Sequence, residues 1–165
     1  MASPIGRPGV NVSTKEASAT ISALFERVKN FSSLSVTVGY TDPEIAKIAA
    51  INEYGSEHIP SRPFMRRAAD VEGAALGRAT TRALEQAASG KISEVEAAEK
   101  VGSAVHAAVI RSLKSTRSWA KPNAPSTNAK KGAYPPLHAG HDRLEHGLTY
   151  QVRKRGGIVA EGGGT

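Results

Sequence analysis

The residues best suited to chemistry gather near the C-terminus. His138, His141, Asp142 and His146 fall within nine positions, and imidazoles beside a carboxylate are ligands for a divalent metal. Their spacing fits neither a helical nor a strand template, and no second cluster adds ligands. Exposed or partner-contacting histidines are the better reading, and no metal is expected. A nucleophilic serine of the Gly-x-Ser-x-Gly type and a glycine-rich phosphate loop are both absent from the sequence. A nuclease would want several clustered carboxylates around metal ions. Asp42/Glu44, Glu53/Glu57 and Asp70/Glu72 are scattered instead, and read as helix caps and solvated faces. No catalytic residue and no cofactor is expected, so the chain does not read as an enzyme.

Binding chemistry is better represented. Trp119, the sole tryptophan, stands in Arg117-Ser118-Trp119-Ala120-Lys121-Pro122. It reads as an anchor onto its own domain or onto a neighbour. Base stacking is a weaker reading, because no other aromatic interleaves with the basic residues. Arg62, Arg66 and Arg67 flank Phe64 and Met65 where a long helix should begin. Cations there oppose the helix dipole, at some tenths of a kcal/mol each. A partner carboxylate or phosphate would offset that cost; simple solvent exposure is the other reading.

The elements that carry these residues follow from pattern. Ser13-Thr14-Lys15-Glu16 is a capping box. Ala17, Ile21, Leu24, Phe25, Val28 and Phe31 then space an amphipathic helix over about 14–31. Leu34 to Tyr40 alternates as a half-buried strand. Asp42-Pro43-Glu44 starts a short helix whose face is Ile45, Ile48, Ala49 and Ile51, and Gly55 caps it. Pro60 and Pro63 hold Ile59 and Arg62 extended in a loop over 55–63. A long helix is predicted over about 64–88, with Ala68, Val71, Ala75, Leu76, Ala79, Ala83, Leu84 and Ala87 on one side. Gly73 and Gly77 weaken it or permit close helix approach. Ser93-Glu94-Val95-Glu96 caps a further helix over about 94–114. Residues 115–140 lack periodicity and contain four prolines, so they read as a long loop. A strand over about 148–155 and a turn at Gly156-Gly157 lead to a hairpin return through Ile158-Val159-Ala160.

The expected fold is α+β: three to four helices on a small antiparallel sheet made of the first strand and the C-terminal hairpin. The domain should span 13–161, with a flexible or docking arm at 1–12, the Pro-rich loop at 115–140 and a free Gly-rich tail at 162–165. The chain has 165 residues, 39% of them hydrophobic and only 5% aromatic, which implies a thin, Ala-rich core. It has no cysteine, which excludes disulfides and thiolate metal sites. No apolar run approaches the ~20 residues of a membrane helix, and the N-terminus lacks the apolar stretch of a secretory signal.

Charge is distributed unevenly. The net charge is +7. Residues 1–110 hold 12 Lys+Arg and 12 Asp+Glu, whereas 111–155 hold 10 basic residues against Asp142 and Glu145. The excess therefore lies in one C-terminal segment, suited to DNA or an acidic surface.

Ala46-Lys47-Ile48-Ala49-Ala50-Ile51-Asn52-Glu53-Tyr54-Gly55, followed by His58-Ile59-Pro60-Ser61-Arg62-Pro63-Phe64-Met65, resembles a signature of tailed-phage proteins. It is similar to the "Asn-Glu-(Tyr/Phe)-Gly … Ile-Pro-x-Arg-Pro-Phe-(Leu/Met)" segment of phage neck, tail-completion and virion-morphogenesis proteins. Val101-Gly102 in the next helix, Trp119 to Thr127, Lys130-Lys131 before Pro136-Leu137, and Leu144 to Val152 continue the resemblance over about 34–155. The chain departs from it at His138-Ala139-Gly140-His141-Asp142, which replaces an Ile-Asp-Thr-Gly element with one extra residue.

The resemblance implies a structural virion protein of the head–tail junction or neck. Such a protein would be a homo-oligomeric ring of six or twelve copies, through whose lumen double-stranded DNA passes. Its neighbours would be connector or head-completion proteins and tail-terminator or tail-tube proteins, with no membrane partner. Ile59, Arg62, Phe64, Met65 and Trp119 are the expected subunit or neighbour contacts. Lys121, Lys130, Lys131, Arg153, Lys154 and Arg155 are the expected contacts to DNA or an acidic partner. The alternative is a basic nucleic-acid-binding module.

Overall fold

The computed structural model describes residues 14–132, 135–137 and 143–164. The elements are α1 (Thr14–Phe31), β1 (Leu34–Tyr40), α2 (Pro43–Tyr54), α3 (Phe64–Ala88), α4 (Glu94–Lys114), α5 (Thr116–Trp119), α6 (Pro125–Lys131), α7 (Arg143–His146), β2 (Leu148–Lys154) and β3 (Gly157–Gly163). This is the expected α+β layout: β1 and the β2–β3 hairpin form one antiparallel sheet in the order β1-β2-β3. The expected arm at 1–12, Ser13 of the first capping box, and the His138, His141 and Asp142 cluster lie outside the described residues.

Side-chain caps set the helix starts. The Asp42 carboxylate accepts from the N–H groups of Glu44 and Ile45 at 2.8 and 3.2 Å. The Ser93 hydroxyl accepts from Glu96 N–H at 3.1 Å. Gly55 ends α2 at φ 82°. A side chain there would meet Ser61 N at 2.9 Å, so glycine is required on both counts.

α4 lies across the sheet, and Gly102 is a point of close approach. A Cβ on it would sit 2.7 Å from the Tyr150 ring and 3.2 Å from Val36. Alternation on β1 and β2 turns Val36, Val38, Tyr150 and Val152 toward the helices, while Ser35, Thr37, Gln151 and Arg153 face the other way. The main core joins Phe64, Ala68, Ala108, Val109, Leu113, Leu137, Leu144 and Leu148. A smaller one joins Ala83, Ala87 and Ala97, with Phe31, Ile92 and Val101 packed against it. Alanines let α3 and α4 pack closely, which makes the core thin, as the composition implies.

Three expectations are corrected. The segment 115–140 is not one loop: it contains α5 and α6, helices too short to show a 3.6-residue period. Gly162 and Gly163 are not a free tail. They pair with Tyr150 and Thr149 in the sheet. Side chains there would strike the Tyr150 hydroxyl and the His106 ring, each at 2.6 Å, so glycine lets the strand pass beneath both rings. The apolar face of α1 is largely left open, and Arg27 and Phe31, which meet the rest of the domain, lie toward its C-terminal end. Phe31 packs on the smaller core and Arg27 Nη1 donates to Ala88 O at 2.9 Å. Ile21, Leu24, Phe25 and Val28 remain 54, 44, 69 and 56% exposed. The hairpin turn is also one residue earlier than expected. Arg155 and Gly156 are its positive-φ pair, as a two-residue primed turn demands.

Candidate functional site

The expected contact residues cluster at the corner between α2 and α3, and most of them are used within the chain. Pro63 gives α3 no side-chain cap, leaving N–H groups at the helix start to be satisfied from elsewhere. Glu53, at the end of α2, supplies the acceptors. Its Oε2 accepts from Met65 N–H at 2.9 Å and its Oε1 from Arg66 N–H at 3.1 Å. Arg66 Nε donates to the same Oε1 at 3.0 Å and Arg66 Nη2 to Glu53 O at 2.7 Å. The carboxylate that offsets the cations at this helix start therefore comes from the preceding helix. Arg66 lies over the Tyr54 ring at 5.3 Å, and Arg67 over the Trp119 ring at 5.0 Å.

Arg62 is buried rather than offered to a neighbour. Its Nε donates to Lys121 O at 2.8 Å, and its Nη2 to Pro122 O at 3.2 Å and Asn123 Oδ1 at 3.1 Å. Burial holds its pKa below the ordinary guanidinium value. The side chain is a strut joining the Pro-flanked loop to the segment after α5. Phe64 is fully buried in the core, so it too is not a neighbour contact: the helix start that Glu53 fixes turns it inward. Met65 and Trp119 are partly buried against the same core. Trp119 Nε1 donates to Ser112 O at 3.2 Å, a contact with its own domain. Ile59 stays 38% exposed.

The loop that presents Ile59 is built by local bonds. Ser56 N–H donates to Ile59 O at 2.8 Å, and the Ser61 hydroxyl to Glu53 O at 2.9 Å. Arg62 N–H reaches Asn52 O at 2.6 Å. Between this loop, α2, α6 and the start of α7 lies a groove of about 590 Å³, lined by Ile48, Ile51, Ile59, Leu137 and Leu144 among others.

The basic residues form two groups rather than one edge. Lys121 and Lys130 are exposed beside α6, and Lys130 lines the groove with Arg143. The Lys131 side chain lies outside the described residues. Arg153, Lys154 and Arg155 sit at the hairpin end of β2, the far end of a seven-residue strand from α7, about 20 Å away. Arg155 N–H donates to Ser33 O at 3.2 Å, and Arg153 Nη2 to Gln151 Oε1 at 3.0 Å. Arg111 is bidentate on Glu72, and Lys114 pairs with Glu145 at 2.7 Å. Arg111 is thereby held above its ordinary pKa and Glu72 below its own, the hydrogen bond between them being the main cause in each case.

Among the described residues, no three His, Cys, Asp or Glu side chains gather as a metal site would require. No helix among them is long and apolar enough to cross a membrane. Comparison of the chain with protein-family models, with curated proteins and with solved structures returned no match.

Sequence reasoning missed Glu53 and Asn123. A cationic helix start with no acid of its own signalled that a carboxylate was needed. Glu53, two residues before the Gly55 cap at the end of the preceding helix, was the nearest source. Asn123 carried no such signal.

Proposed function

We propose that this chain is a structural subunit of a ring at the head–tail junction of a tailed phage, acting by assembly and without catalysis. The observation that carries this is the uncovered stripe of α1. Ile21, Leu24, Phe25 and Val28 recur at helical spacing, and all are 44–69% exposed. Burying the remaining apolar area is worth on the order of 1 kcal/mol per side chain. A face of four such residues is what a subunit contact covers.

The resemblance over residues 46–65 supports a shared architecture in a specific way. The residues that carry it, Glu53, Gly55, Arg62 and Phe64, are those that cap, turn, strut and fill the α2–α3 corner. They report a way of folding, and the ring role follows from that by analogy. The nucleic-acid-binding module fits less well, because the cations divide into two separated groups and two of them are paired within the domain.

Light scattering and negative-stain imaging of the purified protein test the proposal. The expected result is a cyclic species of six or twelve copies, alone or with a neighbouring neck protein. Phe25→Glu should give a folded monomer. A wild-type chain that stays monomeric under both conditions, or a Phe25→Glu variant that still forms rings, would overturn it.

A further inference from the structure

The groove beside α2 has a chemistry that the assembly proposal leaves unassigned. Its floor is aliphatic: Ile48, Ile51, Leu137 and Leu144 line it, and Ile48 and Ile59 remain 37 and 38% exposed. Its charged lining is cationic. Lys130 and Arg143 border it, and no carboxylate does among the described lining residues. Arg62 also lines it, but its guanidinium is committed to Lys121 O, Pro122 O and Asn123 Oδ1. Those same bonds tie one wall to the other, so the slot is held open by a buried strut. An apolar slot with fixed walls and a cationic border suits an anionic, aliphatic ligand.

Nucleic acid is the wrong occupant, since no aromatic platform lies among the described lining residues and most of the surface is hydrocarbon. Two apolar stretches of the chain itself carry the wrong sign. Residues 1–12 contain Arg7 and no acid. The exposed Ile158 and Val159 stand beside Arg153 and Arg155. We infer that the groove takes an extended segment of a different protein, in which aliphatic side chains flank a carboxylate that meets Lys130 and Arg143. The aliphatic side chains fill the floor beside Ile48 and Ile59. Ser126 and Thr127 border the slot, and their hydroxyls suit a peptide backbone. The inference rests on the assembly proposal only in requiring a neighbouring protein.

Panning a random dodecapeptide display library on the immobilised full chain tests it. The expected result is enrichment of sequences with Asp or Glu between Leu, Ile or Val. Those peptides should bind the Ile59→Ser variant at least tenfold more weakly. The Lys130→Glu/Arg143→Glu double variant, its fold checked by circular dichroism, should select Lys- or Arg-bearing peptides instead. No enrichment, enrichment without acid, or equal binding to the variants would overturn the inference. So would displacement of the peptides by the soluble chain itself, which would make a second copy the occupant. The mass of the wild-type chain, alone and with a neighbouring neck protein, is read separately. Rings that persist while selection fails remove the groove inference alone, and rings that never form remove the assembly proposal alone.

Discussion

Glu53 lies at the end of one helix and caps the next, and Arg66 closes the arrangement by donating to both its carboxylate and its backbone carbonyl. The two residues are 13 apart in sequence. Between them the chain makes the Gly55 turn and the Pro-flanked loop, so the pair fixes the angle between α2 and α3. Glu53 is buried, whereas the Arg66 side chain is 57% exposed, and this asymmetry decides the energetics. Glu53→Ala strands the N–H groups of Met65 and Arg66 and should cost about 2–3 kcal/mol. Arg66→Ala removes a solvent-screened partner and should cost less than about 1 kcal/mol. Glu53→Gln, which keeps one acceptor, should fall between. Urea denaturation of the three variants checks the order, and equal losses for Glu53→Ala and Arg66→Ala would contradict it.

Phe64 follows from the same corner. Its ring is fully buried among Ala68, Leu113 and Leu148, so Phe64→Ala should destabilise the folded chain by about 3–5 kcal/mol. Folding and assembly should fall together. A variant that unfolds at the wild-type urea concentration but fails to assemble would return Phe64 to the subunit interface.

Gly102 and the two glycines of α3 should respond oppositely to the same substitution. Gly102 is buried against Tyr150 and Val36, and an added methyl group has no room. Gly102→Ala should cost about 1–3 kcal/mol through displacement of α4 from the sheet. Gly73 and Gly77 have nothing within 4 Å of the position a Cβ would take. Ala at either should stabilise by up to about 1 kcal/mol through helix propensity. Thermal melts of the three single variants give the signs directly. Loss of stability in Gly73→Ala would mean that another surface already presses on α3.

How far the sequence reached depended on the range of the interactions involved. Elements with local signals were legible: Asp42 and Ser93 announce α2 and α4 because their caps close within three residues. Leu34 to Tyr40 alternates because one sheet face is covered. What failed was long-range. Phe64 and Ile59 are similar apolar residues beside prolines, and only the capping by Glu53 turns one inward and leaves the other at the surface. Gly162 and Gly163 resemble a linker by composition, yet their role is set by rings at Tyr150 and His106. The face of α1 was legible as amphipathic, but periodicity says only that a face needs covering, not that its own domain covers it. The basic segment 111–155 was one block in sequence, but its Lys121/Lys130/Arg143 and Arg153–Arg155 cations form two groups in space, because β2 lies between them.

Tyr40 makes the alkaline limit of the fold predictable. Its hydroxyl donates to Leu144 O at 2.9 Å, which links β1 to α7. Burial pushes the phenol pKa well above its ordinary value, and the nearby Glu53 charge adds to the effect. Below about pH 10 the phenol is protonated in both folded and unfolded chains. Above that pH the unfolded chain releases its proton while the folded chain keeps it. The unfolded state then binds fewer protons, and stability falls as pH rises. The contribution is therefore complete below about pH 10 and is lost progressively above it. Tyr40→Phe should cost about 1 kcal/mol at neutral pH through the lost hydrogen bond. It should also flatten the decline above pH 10 relative to the wild type. Urea midpoints of both proteins at pH 8, 9.5 and 10.5 separate the two effects. A difference between the proteins that stays constant across that series would mean that Tyr40 ionises as freely when folded as when unfolded.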